Sequence, residues 1–284
     1  MPAVDSNVIR LLGDGLSLAA EAFGPADGPP VLFFHGGGQS RKSWNGAARR
    51  LGAAGYRAIT VDLRGHGESD WDSAGDYLLE AYGRDVISLI DGFDRQVALV
   101  GASRGGQAAL VGASHRSDRV AMVMLADVAP LLRDEGVDAV RSFFAASLPG
   151  FTSVEAAAET LARELGLQRR EDFAALEKSM RRGEDGRLYW QWDPRTVSPE
   201  FLNPPSEGLA LERAAKRITA PVVLVRAEFS TIVTDESVAL FRRLTPQIEV
   251  IVARGVGHMY TGDRNDAFAA TLLDRLSRHM PQHA

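Results

Sequence analysis

The chain contains no cysteine, which excludes a disulfide scaffold, a thiolate zinc site and a cysteine nucleophile together, and leaves the redox compartment open. Excess positive charge is also missing: 32 lysine and arginine residues stand against 37 aspartate and glutamate residues, a formal net charge of −5. A nucleic-acid binder normally carries a basic face that neutralises phosphates, so no nucleic-acid partner is expected. No apolar run approaches the roughly 20 residues that cross a bilayer; the best, such as Val222 to Val225, are strand-sized. The opening Met1-Pro2-Ala3-Val4-Asp5 lacks the basic flank and apolar middle of a secretory signal. The expectation is no membrane association and a cytoplasmic location. The histidines are scattered rather than set at ligand spacing, the first strand-helix turn lacks Gly-x-Gly-x-x-Gly, and no phosphate loop occurs, so neither a metal nor a cofactor is expected.

What is present is a chain of 284 residues, 45% hydrophobic and 24% charged, long and apolar enough for one large domain with a sizeable core. Six short apolar runs are near-continuous, as strands buried on both faces are: Val31–Phe34, Arg57–Val61, Val97–Val100, Val120–Leu125, Val222–Val225 and Val250–Val252. Segments of helical period lie between them at about residues 44–55, 76–93, 104–115, 235–244 and 263–280. Ahead of the first run, residues 7–12 and 17–23 read as an antiparallel hairpin. This alternation predicts an α/β protein with a mostly parallel sheet. It breaks after Pro130 and resumes at Pro221, an interval far above the roughly 2–6 residues of an ordinary connection. The helical stretches Val154–Leu165 and Phe173–Met180 and the cluster Tyr189-Trp190-Gln191-Trp192 fill it. A helical cap over residues 131–219, inserted into a core of residues 1–130 and 220–284, is therefore expected.

Gly101-Ala102-Ser103-Arg104-Gly105 follows the run Val97–Val100 and opens a small-residue helical segment, the strand-turn-helix setting of a nucleophile elbow. Such an elbow strains its central residue, and the positions two before and two after must lack side chains for strand and helix to approach. A serine hydroxyl also needs a base. Of the six histidines, His279 and His283 sit in the tail, His115 lies beside Arg116, and His66 is in the turn Asp62-Leu63-Arg64-Gly65-His66-Gly67-Glu68-Ser69. His258 follows the last run, in Gly255-Val256-Gly257-His258-Met259-Tyr260. Its glycines let a loop deliver it to the carboxyl edge of the sheet, where sites form in open α/β sheets, so His258 is the candidate base. His35-Gly36-Gly37-Gly38 ends the first run, and consecutive glycines let N–H groups point at a developing oxyanion. The expected donors are the N–H groups of Gly37 and Arg104, with Gly38 as a further candidate. His35 is expected to brace that loop and, with Trp190 and Trp192, to border a substrate pocket that Phe143 and Phe144 also help to wall.

With these stations in this order, and with the Asp62–Ser69 turn, Trp44, Trp190-Gln191-Trp192-Asp193-Pro194 and Gly257-His258-Met259, the chain resembles the α/β-hydrolase superfamily over essentially its whole length. It looks closest to the cap-bearing esterase, lipase and cofactor-free haloperoxidase-like branch. The resemblance implies an eight-stranded, mostly parallel sheet flanked by helices. It also implies a serine hydrolase that cleaves a small, hydrophobic carboxylic ester or lactone through an acyl-enzyme, with Ser103 as nucleophile and His258 as base. The Asp62–Ser69 turn is then structural, which leaves Arg64, His66 and Glu68 out of the catalytic set.

In similar proteins the acid that orients the histidine follows the seventh strand, where this chain carries Ser230 and Thr231. Neither is an anion. Asp127, after the sixth strand, is the favoured replacement and Glu228, at the end of the seventh, the alternative; a bare Ser103-His258 dyad also stays open. Arg104 is unusual beside a nucleophile and needs an anionic partner, for which Glu228, Asp127 or a substrate carboxylate are candidates. The missing acid keeps two other readings in view: a cofactor-free oxygenase or carbon–carbon hydrolase acting on an aromatic substrate, and a decayed member of the fold that only binds a ligand. The expected partner is a small-molecule substrate, and a homo-oligomer is allowed.

Overall fold

Near-continuous apolar runs need neighbours on both faces, and each finds them in one twisted sheet. The computed structural model describes residues 6–131, 134–165, 173–198, 205–256 and 266–281. In chain order the elements are β1 (Ser6–Leu12), β2 (Ser17–Phe23), β3 (Pro30–Phe34), α1 (Asn45–Ala53), β4 (Arg57–Val61), α2 (Leu79–Asp91), β5 (Val97–Ala102), α3 (Ser103–His115) and β6 (Val120–Ala126). There follow α4 (Asp134–Ser147), α5 (Val154–Leu165), α6 (Ala174–Glu177), β7 (Met180–Arg182), β8 (Leu188–Trp190), α7 (Pro205–Arg217), β9 (Val222–Ala227), α8 (Asp235–Leu244), β10 (Glu249–Ala253) and α9 (Asp266–His279).

Eight strands form the main sheet in the order β1-β2-β4-β3-β5-β6-β9-β10. Pairings are parallel from β4 through β10, and β2 alone runs against the rest. This is the α/β-hydrolase architecture that the sequence leads one to expect. Because side chains alternate across a strand, each run serves two cores. Leu32, Phe34, Leu99 and Leu224 join α2, α3, α7 and α8 on one face. Val31, Phe33, Val100 and Val223 join α1 and α9 on the other. The carboxyl ends of β3, β5, β6 and β9 therefore open side by side, which sets the place of the site.

The segment between β6 and β9 has a small core of its own, built from Phe143, Phe144, Phe151, Met180, Trp190 and Trp192. Its backbone is stitched to the turn after β4: Gly67 N–H donates to Gln191 O at 2.6 Å and Asp193 N–H to Gly65 O at 2.8 Å. Two details differ from expectation. The helix expected over Phe173–Met180 shrinks to α6, because Met180–Arg182 pairs instead with Leu188–Trp190 in an antiparallel ribbon. α7, within the range expected for the insertion, turns Ala210, Leu211, Ala214 and Ala215 into the main core. Their helical spacing gives α7 an apolar stripe, so it packs with the sheet-covering helices instead. No helix among the described residues is long and apolar enough to cross a membrane.

α3 closely approaches the end of β3. A Cβ added at Gly105 would stand 2.4 Å from His35 O and 2.5 Å from Phe34 O, both backbone atoms that cannot swing aside. Gly105→Ala is expected to destabilise the protein by about 3 kcal/mol through overpacking. Gly208→Ala in α7, where nothing lies within 4 Å of the added methyl, is expected to stabilise it by about 0.5–1 kcal/mol. Urea unfolding of both variants checks the contrast; similar small shifts would contradict the seating of α3.

Candidate active site

Ser103 is the first residue of α3 and has φ +47°, a left-handed conformation that costs a non-glycine residue energy. The small residues around it make the bend possible. A Cβ at Gly101 would stand 2.5 Å from Gly106 Cα and 2.6 Å from Gly105 O. Gly106, not singled out in the sequence, is constrained as well: its Cβ would be 2.7 Å from Val128 Cγ2. The bend leaves Ser103 half-buried and facing the glycine loop, where a Cβ at Gly36 would lie 3.4 Å from Ser103 Cβ.

The glycine loop is held by two buried, neutral histidines. His35 donates from Nδ1 to Gly36 O at 2.7 Å and accepts the Leu63 N–H on Nε2 at 3.0 Å. His66 donates from Nδ1 to Arg64 O at 2.9 Å and accepts the Gly38 N–H on Nε2 at 3.2 Å. Burial lowers both rings from their ordinary value, and burial together with neighbouring His35 takes His66 to about 3. Only a neutral imidazole donates on one side and accepts on the other, so the shifts and the hydrogen bonds agree. His35 has no exposed surface, and it holds the loop from beneath rather than bordering a pocket. The Gly38 N–H, occupied by His66, drops out as an oxyanion donor. The Gly37 N–H has no partner among the described residues.

The turn after β4 carries this bracing. Asp62, fully buried, accepts the Arg41 N–H at 2.6 Å, the Arg41 guanidinium, and the Glu68 N–H at 3.1 Å. Arg64 meets Asp85 through two hydrogen bonds of 2.7 and 2.8 Å. These charges are spent on the scaffold, in keeping with a structural role for the turn.

Asp127, directly after β6, has φ +53° and is buried. Its Oδ1 accepts the Ala227 N–H at 3.0 Å and its Oδ2 the Ser230 hydroxyl at 2.6 Å. Ser230 in turn accepts the N–H groups of Ile232 and Val233. Ser230, in the loop after β9, thus anchors Asp127, in the loop after β6. Glu228 is exposed, and its Oε2 accepts the Gly255 N–H at 2.7 Å, fastening the turn that follows β10. His258 lies outside the described residues, as does His283.

Arg104 takes a partner that sequence reading did not supply. Its Nη1 lies 2.7 Å from Oε2 of Glu207, a fully buried carboxylate in the first turn of α7, and its guanidinium covers the Tyr82 ring at 5.7 Å. Burial raises the Glu207 carboxyl above its ordinary value, and the Arg104 charge offsets part of that rise. Glu207 also accepts the Leu79 N–H at 3.2 Å, so one carboxylate ties α7 to the starts of α2 and α3. Neither Glu228 nor Asp127 fills this role. A glutamate about 100 residues away carries no local signal of the pairing.

Over the loop sit Phe144 and Trp192. A Cβ at Gly38 would be 2.8 Å from Phe144 Cε1 and 3.8 Å from Trp192 Nε1. The two rings meet edge to face at 5.6 Å. Trp190 stands one layer further back, its Nε1 donating to Ser147 Oγ at 3.1 Å and its ring against Phe143 and Phe151. A half-buried hydroxyl, a glycine-loop backbone N–H, an anchored carboxylate and apolar rings thus gather at one sheet edge, a set suited to acyl transfer.

The alpha/beta hydrolase family model matches residues 31–271. An esterase of Mycobacterium tuberculosis is 28% identical over 248 residues, which cover 83% of this chain and 78% of that protein. A 2-(acetamidomethylene)succinate hydrolase of Mesorhizobium japonicum is 30% identical over 234 residues, 81% of this chain and 82% of that protein. The crystal structure of an E-2-(acetamidomethylene)succinate hydrolase superposes with a TM-score of 0.80 at 26% identity, covering 97% of this chain and 99% of that one.

The bracing by His66 has a pH signature. Its folded value of about 3 lies below the ordinary 6.5, so the unfolded chain binds a proton that the folded chain refuses. Stability from this group is complete above pH 6.5 and falls as pH drops towards 3, by up to about 1.4 kcal/mol per pH unit. His66→Gln, which keeps a donor and an acceptor without titrating, is expected to flatten this decline. Denaturant midpoints of both proteins between about pH 8 and 4.5 check it, and parallel curves would contradict it.

Proposed function

Since the chain belongs to the alpha/beta hydrolase family and is a hydrolase, we propose that it cleaves a small, hydrophobic carboxylic ester or lactone through an acyl-enzyme on Ser103. The Ser103 Oγ attacks the carbonyl carbon while His258 takes its proton, and the N–H groups of Gly37 and Arg104 receive the oxyanion. Collapse of the tetrahedral intermediate breaks the bond to the alkoxy oxygen, which leaves with the proton that His258 held. Water then adds to the acyl-enzyme by the same route, releasing the acid and restoring Ser103.

Asp127 fills the role of the missing acid, holding His258 in the tautomer that can accept a proton and stabilising the imidazolium that forms. Its fixed direction, set by Ala227 and Ser230, supports this assignment over Glu228. The segment between β6 and β9 acts as a cap. Phe144 stands so close above the glycine loop that a short acyl or alcohol part fits best, and the Phe144 and Trp192 rings favour an apolar one. The single observation that carries the proposal is the meeting of the strained Ser103 with the glycine loop, Cβ to Cβ position 3.4 Å at Gly36, beside an N–H at Gly37 that no other described residue uses.

The expected outcome on a panel of p-nitrophenyl esters and lactones is turnover by the native protein and none by Ser103→Ala. Asp127→Asn is expected to keep the fold, read by circular dichroism, and to lower kcat by up to about 10⁴-fold through the wrong histidine tautomer. Full turnover by Ser103→Ala would overturn the proposal, and unaltered kinetics in Asp127→Asn would remove Asp127 from it. The place of Asp127 after the sixth strand favours one second reading, a cofactor-free oxygenase with His258 as base. Oxygen consumption on an aromatic heterocycle, without ester turnover, would select it.

A further inference from the structure

The four tryptophans of the chain treat their indole N–H groups differently. Trp44 donates to Phe34 O at 3.0 Å, Trp190 donates to Ser147 Oγ at 3.1 Å, and Trp71 is 41% exposed. Trp192 is 4% exposed, and its Nε1 has no hydrogen-bond partner among the described residues. A buried donor without an acceptor is costly, and native structures keep few of them. Apolar packing against Phe144 alone gives no reason for a nitrogen here, because a phenyl ring would pack without that cost.

The place of the orphan is specific. Trp192 Nε1 lies 3.8 Å from the point where a Cβ on Gly38 would stand, on the loop whose Gly36 approaches Ser103. The backbone on both sides of Trp192 is fixed: it bridges to His66, Gln191 O accepts the Gly67 N–H, and Asp193 N–H donates to Gly65 O. The Asp193 carboxylate is held in turn by the Tyr77 hydroxyl at 2.6 Å and by Arg195. One turn, the one after β4, therefore positions both the glycine loop and the indole, and preserves their relation.

We propose that the Trp192 indole N–H is a specificity donor reserved for a second oxygen of the substrate, a ketone or carboxylate oxygen on the acyl chain a few bonds from the reacting carbonyl. With the acyl carbonyl oxygen at Gly37, such an oxygen lies along the loop towards Gly38 and receives the indole proton. The preferred class is then an oxo- or carboxy-substituted ester rather than a plain alkanoyl ester. This rests on Ser103 being the nucleophile.

The test compares p-nitrophenyl 4-oxopentanoate with p-nitrophenyl pentanoate, which differ by the second oxygen alone. The native protein is expected to prefer the oxo ester in kcat/KM, and Trp192→Phe to reduce that preference about tenfold or more, as when a built-in donor loses its acceptor. Independently, in Ser103→Ala labelled with ¹⁵N at tryptophan, the indole signal that Trp192→Phe removes is expected to move downfield in ¹H on titration with 4-oxopentanoate. A cavity of about 10 Å³ between Trp192 and Ser147 has room for a single water. If a water is the only partner, the preference is unchanged in Trp192→Phe and the signal does not move, and the proposal falls. Should Trp192→Phe fail to fold, the titration of the Ser103→Ala chain decides alone, with the signal assigned by elimination against the other three tryptophans. Turnover that survives in Ser103→Ala would instead sink the nucleophile reading, so the two failures are distinguishable.

Discussion

The site depends on one close approach of backbone to backbone. α3 reaches the end of β3 only because Gly105 has no Cβ, and it leaves β5 only because Gly101 and Gly106 have none. That contact forces the residue between strand and helix into the left-handed region and turns its side chain towards the glycine loop. The strain at Ser103 is local, and the apolar contacts of β5 with both cores and of α3 with one of them hold it in place. A serine on a flexible loop would have to be ordered before it could react; here the order of Ser103 is part of the folded state.

Charge is handled in two ways around this contact. Close to the glycine loop the protein uses neutral groups, His35 and His66, which bridge backbone atoms without burying an ion there. Its buried ions are compensated: Arg41 with Asp62, Arg64 with Asp85, and Arg104 with Glu207. A buried pair of this kind adds little net stability, but removing one partner leaves a stranded charge, so each pair fixes the relative placement of the elements it joins. Through Glu207 the residue after Ser103 is tied to α7, and through Asp62 the stretch that follows the glycine loop is tied to the turn that docks the inserted segment.

Local pattern in the sequence made most of the fold legible. Continuous runs such as Val31–Phe34 became fully buried strands, and Gly101-Ala102-Ser103-Arg104-Gly105 became the bend it promises. That Ser230 and Thr231 follow β9, where the resemblance leads one to expect an acid, was also visible. What stayed hidden was the pairing of distant residues. Nothing near Ser230 shows that its hydroxyl holds Asp127, about 100 residues earlier, and nothing near Glu207 shows that it meets Arg104. Those contacts arise from the crossover order of the sheet, which brings β6 beside β9 and α7 beside α3, and not from spacing along the chain. The Phe173–Met180 stretch misled for a related reason: its helical pattern gives way where Met180 finds Trp190 across a turn. α7 lies inside a long insertion by sequence but packs with the core by its apolar stripe.

Covalent trapping tests the central claim most directly. The native protein is mixed with a p-nitrophenyl ester, quenched in acid within the first turnovers, and digested for peptide mass analysis. The account predicts that the acyl mass is carried by the peptide containing Ser103, at that residue, and that the adduct disappears as product accumulates. Turnover with the acyl group on another residue, or undiminished turnover after Ser103 is replaced by alanine, would contradict it.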